Sequence, residues 1–218
     1  MRAWLCPLAV TVALSGCALL GKSEPIVPRY FAAEYDAEAP AARARPGLQL
    51  RLDRVEGWSH LRERMVVRSA AREFSFCEDR RWLERPEVYL RRALARTLFE
   101  ERGVVEAISG RAVTLEVELI AFEELAQPHE IRLQARVVLI DERVALLAET
   151  ITVAQPVGGE GSDPARAVVD AYSAGLRTGV GQIADRVIAR LTEHAASAAD
   201  GAETPAPAAG NDRPRPTR

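Results

Sequence analysis

Three cysteines, three histidines and 31 carboxylates are the groups in this 218-residue chain that could do chemistry. His60, His129 and His194 are far apart, with no paired cysteine and no His-x-x-x-His, so a metal site has little support and no metal ligand is assigned. Neither Gly-x-Ser-x-Gly nor a phosphate loop nor a dinucleotide fingerprint occurs. Glu116 and Glu118 lie two apart in an alternating run, which sets both on the outward face of a strand, a place for solvated charge. No catalytic residue is assigned on these grounds, and the chain reads as a non-enzyme. The reactive group that stands apart is Cys17, which closes the run Leu14-Ser15-Gly16-Cys17.

That run ends a nearly unbroken apolar stretch from Ala3 to Leu20, opened by Arg2. Its length approaches the ~18 residues at which a membrane span becomes feasible, and its plan also suits a soluble export signal. Only Lys22 and Glu24-Pro25 follow it, which is a poor stop-transfer flank. Leu14-Ser15-Gly16-Cys17 resembles the lipobox of bacterial lipoprotein signal peptides. The residue types fit: the peptidase groove takes small side chains at Ser15 and Gly16, and only a thiol takes a diacylglycerol thioether. The resemblance implies cleavage between Gly16 and Cys17, with acyl chains such as palmitate on the sulfur and amine of Cys17 and no other cofactor. Ala18 stands where Asp would retain such a protein in an inner membrane, which points to the periplasmic face of an outer membrane in a two-membrane bacterium.

Removal of residues 1–16 leaves 202 residues, enough for one domain with a real core and some tail. Net charge is -2, and -3 without Arg2, too weak to imply nucleic-acid binding. With Cys6 lost and Cys17 acylated, Cys77 has no partner for an intrachain disulfide. Charge is uneven along the chain: residues 43–102 hold fifteen arginines and ten acids, residues 103–163 four and eleven. The segments therefore carry +5 and -7, giving either a dipolar surface or two halves that neutralise each other across a sheet.

The elements that must position these groups follow from periodicity. Residues 17–46, with Pro25, Pro28, Pro40 and Pro46, read as a tether in which Arg29-Tyr30-Phe31, the one aromatic cluster, packs as an edge strand, with a binding peptide as the alternative. Leu48, Leu50 and Leu52 alternate as a strand, and Arg64–Ser69 and Arg72–Cys77 give two more, the last with Phe74 and Phe76 on one face. Pro86 opens a helix whose stripe is Leu90, Ala93, Leu94, Thr97 and Leu98, with Arg91, Arg92 and Arg96 opposite; Gly103 stops it. Those arginines form a candidate face for a partner or for anionic lipid headgroups. Leu115–Ala121, Ile131–Leu139 and Val144–Val153 alternate as an antiparallel meander, with Leu115, Val117, Leu119 and Ala121 on one face.

Asp163-Pro164 caps a last helix whose face runs through Val169, Tyr172, Leu176, Val180, Ile183, Val187 and Leu191, roughly 40 Å at 1.5 Å per residue. Gly175 and Gly179 near that face imply a close approach to the sheet. The result is an α+β domain over residues 47–193, β-β-β-α-β-β-β-α, an antiparallel sheet of about six strands with both helices on one face. Residues 194–218 lack periodicity and read as a disordered tail.

This order resembles the ABC-type transport auxiliary lipoproteins, the group that includes PqiC-like partners of MCE lipid-transport systems. The resemblance spans roughly residues 14–192. It rests on the lipobox and Pro-rich tether with Arg29-Tyr30-Phe31, where the family usually has Tyr-Tyr and then Leu. It rests also on Trp82 ahead of the first helix, Ala121-Phe122-Glu123 ending a strand, and the small-residue-rich Ala167–Gly181. It implies a non-enzymatic outer-membrane component that docks an MCE-domain protein with its ABC permease and ATPase, moving lipid or another hydrophobic molecule between membranes. A homo-oligomer and no nucleic acid are the further partner expectations. A passive envelope stalk, touching acidic polymers through Arg213, Arg215 and Arg218, is the alternative, and an envelope enzyme a more distant one.

Overall fold

Alternating apolar residues in the second half of the chain build the centre of the sheet. The computed structural model describes residues 25–35, 44–158 and 163–202. Its strands are β1 (Arg29–Phe31), β2 (Arg45–Gly57), β3 (Arg64–Ala70), β4 (Glu73–Trp82), β5 (Val104–Glu106), β6 (Val113–Leu125), β7 (Glu130–Asp141) and β8 (Val144–Pro156). Helix α1 (Pro86–Ala95) runs on as a π-helical turn, Arg96–Glu101, and α2 covers Pro164–Ala202.

The α+β class holds, but the sheet is mixed and eight-stranded rather than antiparallel with about six strands. β6 is its centre. On one side β7 and β8 continue antiparallel from it, as the meander signals require. On the other, β2 pairs with the first half of β6 and β3 with the second, both in parallel. β5 lies parallel beside β2, β4 antiparallel to β3, and β1 parallel beside β4 at the edge. A period of two reports which face a residue takes, not which way its neighbour runs. The direction here comes from the connection: the chain leaves β2, makes the β3–β4 hairpin, then crosses over through α1, and a helical crossover returns a strand parallel. β5 is three residues long, too short to show a period; it follows Gly103, whose φ of 69° ends the helical turn in the left-handed region.

A second correction concerns β6. The alternation through Leu115, Val117 and Leu119 was expected to carry on to Ala121. The β6–β7 register shifts between Leu119 and Ala121, so Phe122 opposite Leu133 turns to the core at 1% exposure and Glu123 turns to the other face. An extra residue in a strand reverses the facing of everything after it.

Both helices cover one face. α1 rests on β2 and touches α2, and α2 crosses β7, β8 and β2. The expected stripe is buried: Tyr172, Leu176, Val180, Ile183, Val187 and Leu191 are each at most 3% exposed. Tyr172 closes an aromatic cluster with Trp82 at 4.8 Å and Phe122 at 4.6 Å between ring centres. Its hydroxyl donates to Val66 O at 3.5 Å, and full burial pushes its pKa well above the ordinary tyrosine range. Gly179 marks a close approach of helix to sheet: a Cβ there would stand 3.0 Å from Leu133 Cδ2. Asp163 caps α2, accepting from the amides of Ala165 at 3.1 Å and Arg166 at 3.4 Å. The helix continues past residue 193 to Ala202, into sequence expected to be tail. Part of the expected tether belongs to the sheet: Phe31 O accepts from Leu83 N at 2.8 Å and Ala33 is 5% exposed, in line with the edge-strand reading.

Candidate functional site

Arg91, Arg92 and Arg96 do share the solvent side of α1 and its π-turn, and each is held by its own chain. Arg91 Nη1 donates to Asp53 O at 2.5 Å and Nη2 to Leu52 O at 3.3 Å, fastening α1 to the middle of β2. Arg92 pairs with Glu84 and lies 5.4 Å from the Tyr89 ring centre. Arg96 donates to Tyr35 O at 3.2 Å and pairs with Glu101 at 3.3 Å. Tyr35 Oη in turn donates to Glu101 at 2.9 Å, and burial raises its pKa. Between residues 32–35 and α1 runs an open groove of about 490 Å³, lined in part by Leu83, Tyr89, Arg92 and Arg96.

Across the sheet from the helices lies an arrangement the sequence reading missed. Glu123, turned outward by the β6 irregularity, is fully buried there between two arginines. Arg68 donates to it at 2.9 and 3.4 Å, and Arg132 closes from the other side. Over Arg68 sits Phe74, 3.8 Å from guanidinium carbon to ring centre; His60 packs against Phe74 and Trp58 against His60. Trp58 Nε1 donates to Glu118 Oε1 at 2.9 Å, and Arg64 covers Phe76 at 5.1 Å. Trp58, Phe74 and Phe76 remain 46%, 45% and 39% exposed. Burial pushes His60 below the ordinary histidine range, against the pull of Glu123. Phe74 and Phe76 share one face as their spacing requires, and that face is the one without helices among the described residues. The signal for Glu123 was present only as a carboxylate ending an apolar strand, and no period marks it as buried.

Part of the charge imbalance between the two segments is met inside the domain. Arg54 pairs with Glu116 at 3.9 Å, Arg68 with Glu123, and Arg80 with Glu124 at 3.0 Å, so arginines of residues 43–102 meet carboxylates of residues 103–163 across the sheet. Glu116 and Glu118 do face outward.

Ser15, Gly16 and Cys17 lie outside the described residues. Cys77 is buried and unpaired, and burial raises its thiol pKa. Among the described residues no three His, Cys, Asp or Glu side chains gather as a metal ion would require, and no helix is long and apolar enough to cross a membrane.

The model of the ABC-type transport auxiliary lipoprotein component matches residues 32–184, which takes in β2 to β8 and the first half of α2. The chain belongs to that family. A transport auxiliary protein of this family is accordingly what the helix-covered sheet builds. The fold recurs in the crystal structure of a Xanthomonas campestris protein of the DUF330 family, at 17% identity and a TM-score of 0.60, covering 78% of this chain and 99% of that one. It recurs also in an uncharacterised protein at 14% identity and a TM-score of 0.58, covering 74% of this chain and 99% of that one. Both likenesses concern the fold alone. No curated protein matches the chain significantly.

Proposed function

We propose that the chain is an outer-membrane lipoprotein, cleaved after Gly16 and acylated on Cys17, that docks a periplasmic MCE-domain protein and its ABC permease and ATPase. Its work is then non-enzymatic: holding the assembly at the membrane so that lipid or another hydrophobic molecule passes between membranes. The observation that carries the docking reading is the helix-free face with Trp58, Phe74 and Phe76 exposed over a rigid Arg68–Glu123–Arg132 base. Aromatic and arginine side chains dominate the energetic centres of protein interfaces, and a ring already fixed by its neighbours loses little freedom on binding. The α1 face is the second reading, favoured by the groove beside Arg92 and Arg96, where an acidic rim would gain from electrostatic steering.

Binding of the cognate MCE-domain protein distinguishes them. A variant with Trp58, Phe74 and Phe76 changed to Ser should lose at least ~10-fold in affinity, the loss of a small hot spot. A variant with Arg91, Arg92 and Arg96 changed to Glu should lose mainly on-rate, and chiefly at low salt. If both folded variants bind as wild type at low and high salt, neither face docks the partner.

A further inference from the structure

We propose that the β1 corner of the sheet seats directly on the bilayer surface, so that the domain touches the membrane with its own apolar side chains as well as through its anchor. The inference rests on the reading that Cys17 is acylated. Ile26, Val27, Tyr30 and Leu83 are 57%, 81%, 63% and 66% exposed, and all four lie at this corner. β1 pairs Tyr30 with Arg81 and Phe31 with Trp82, and the amide of Leu83 donates to Phe31 O at 2.8 Å, so the two segments are fastened side by side. Several charges around them are paired: Arg29 with Asp163 at 2.6 Å, Arg85 with Glu87 at 2.7 Å, Arg92 with Glu84, and Asp79 with Arg80 at 3.8 Å.

Chain length then supplies the occupant. Only residues 18–25 separate Cys17 from Ile26. At no more than ~3.3–3.6 Å per residue they reach about 30 Å, so this corner stays within that distance of the acyl chains, the tightest limit on any part of the described domain. Tyrosine with branched aliphatics is the composition that settles at a membrane interface, the ring's polar tip toward the headgroups. Held there by an anchor, even weak insertion is populated, because tethering makes the second contact intramolecular.

The test uses the acylated mature chain in phosphatidylethanolamine–phosphatidylglycerol vesicles whose acyl chains are brominated or plain. Val27→Trp places a reporter in the corner, and Ile108→Trp places one at 89% exposure beside β5, the opposite edge of the sheet. Bromine should quench the added emission of Val27→Trp roughly twofold and leave that of Ile108→Trp unchanged, as expected for a side chain at interfacial depth. Unquenched Val27→Trp on protein that floats with the vesicles overturns the seating while leaving the anchor standing. Equal quenching of both reporters overturns it as well. Protein that neither floats nor carries an adduct on Cys17 overturns the anchor, and the seating with it.

Discussion

Leu176 is where the packing account is most exposed to measurement. It is 1% exposed, midway along the α2 stripe that closes over β7 and β8. Leu176→Ala removes a fully buried side chain and leaves its space open, a change that costs about 2–5 kcal/mol in well-packed cores. At roughly 2–4 °C per kcal/mol for a domain of this size, the melting temperature should fall by about 4–20 °C. Leu176→Asp adds a carboxylate with no partner in an apolar seam, several kcal/mol more, which together approaches the ~5–15 kcal/mol that whole domains possess. That variant should be unfolded, or nearly so, at 25 °C. Arg177→Asp, next in sequence but exposed, should stay within about 0.5 kcal/mol of wild type. Urea and thermal unfolding followed by circular dichroism would measure all three. Wild-type stability in Leu176→Asp would refute the packing of α2 on this sheet.

The other substitutions probe separate parts of the account. Glu123→Ala leaves Arg68 and Arg132 facing each other without their shared carboxylate, and urea denaturation should show a loss of about 3 kcal/mol; no loss would mean the triad is not a buried unit. Asp163, whose hydrogen bonds from Arg29 hold its carboxyl down at about 2, should stabilise the β1–α2 contact above the unfolded value of 3.8 and lose that effect as pH falls toward 2. The melting-temperature difference between wild type and Asp163→Asn should therefore shrink from pH 5 to pH 2, and a difference that grows on acidification would contradict the assignment. Gly181→Ala, with open space at its Cβ, should gain about 0.5–1 kcal/mol from helix propensity. Gly179→Ala, pressed against Leu133, should gain nothing; equal gains at both positions in denaturant titrations would remove the close approach as the reason for Gly179.

How far the sequence could be read depended on whether the deciding interaction was local. The α2 stripe, its Asp163 cap and the β6–β7–β8 meander are set by spacing and turn chemistry within a few residues, and all three stand in the structure, apart from the β6 irregularity between Leu119 and Ala121. Strand direction was not local: the parallel pairing of β2 and β3 with β6 depends on a crossover through α1, some fifty residues long, that leaves no mark on alternation. The same holds for Glu123. A register shift of one residue carried it to the outer face, and only the structure reveals Arg68 and Arg132 waiting there. Arg91, Arg92 and Arg96 were correctly placed on the solvent side of the helix, but their partners Asp53, Glu84, Tyr35 and Glu101 come from three other segments and from the π-turn itself. A charged face that looks free along a helix is thus partly consumed by the fold.

The proposed role is that of a lipid-anchored protein holding an ABC/MCE assembly at the membrane. Chemical cross-linking in intact cells, with the acylated full chain as bait and mass spectrometry of the linked peptides, tests it most directly. The account predicts links from the Trp58–Phe76 face to an MCE-domain protein, co-isolated with its permease and ATPase, and their loss when Trp58, Phe74 and Phe76 are changed to Ser. Links solely to cell-wall polymers or to proteins outside any transporter, with the bait acylated and folded, would contradict it.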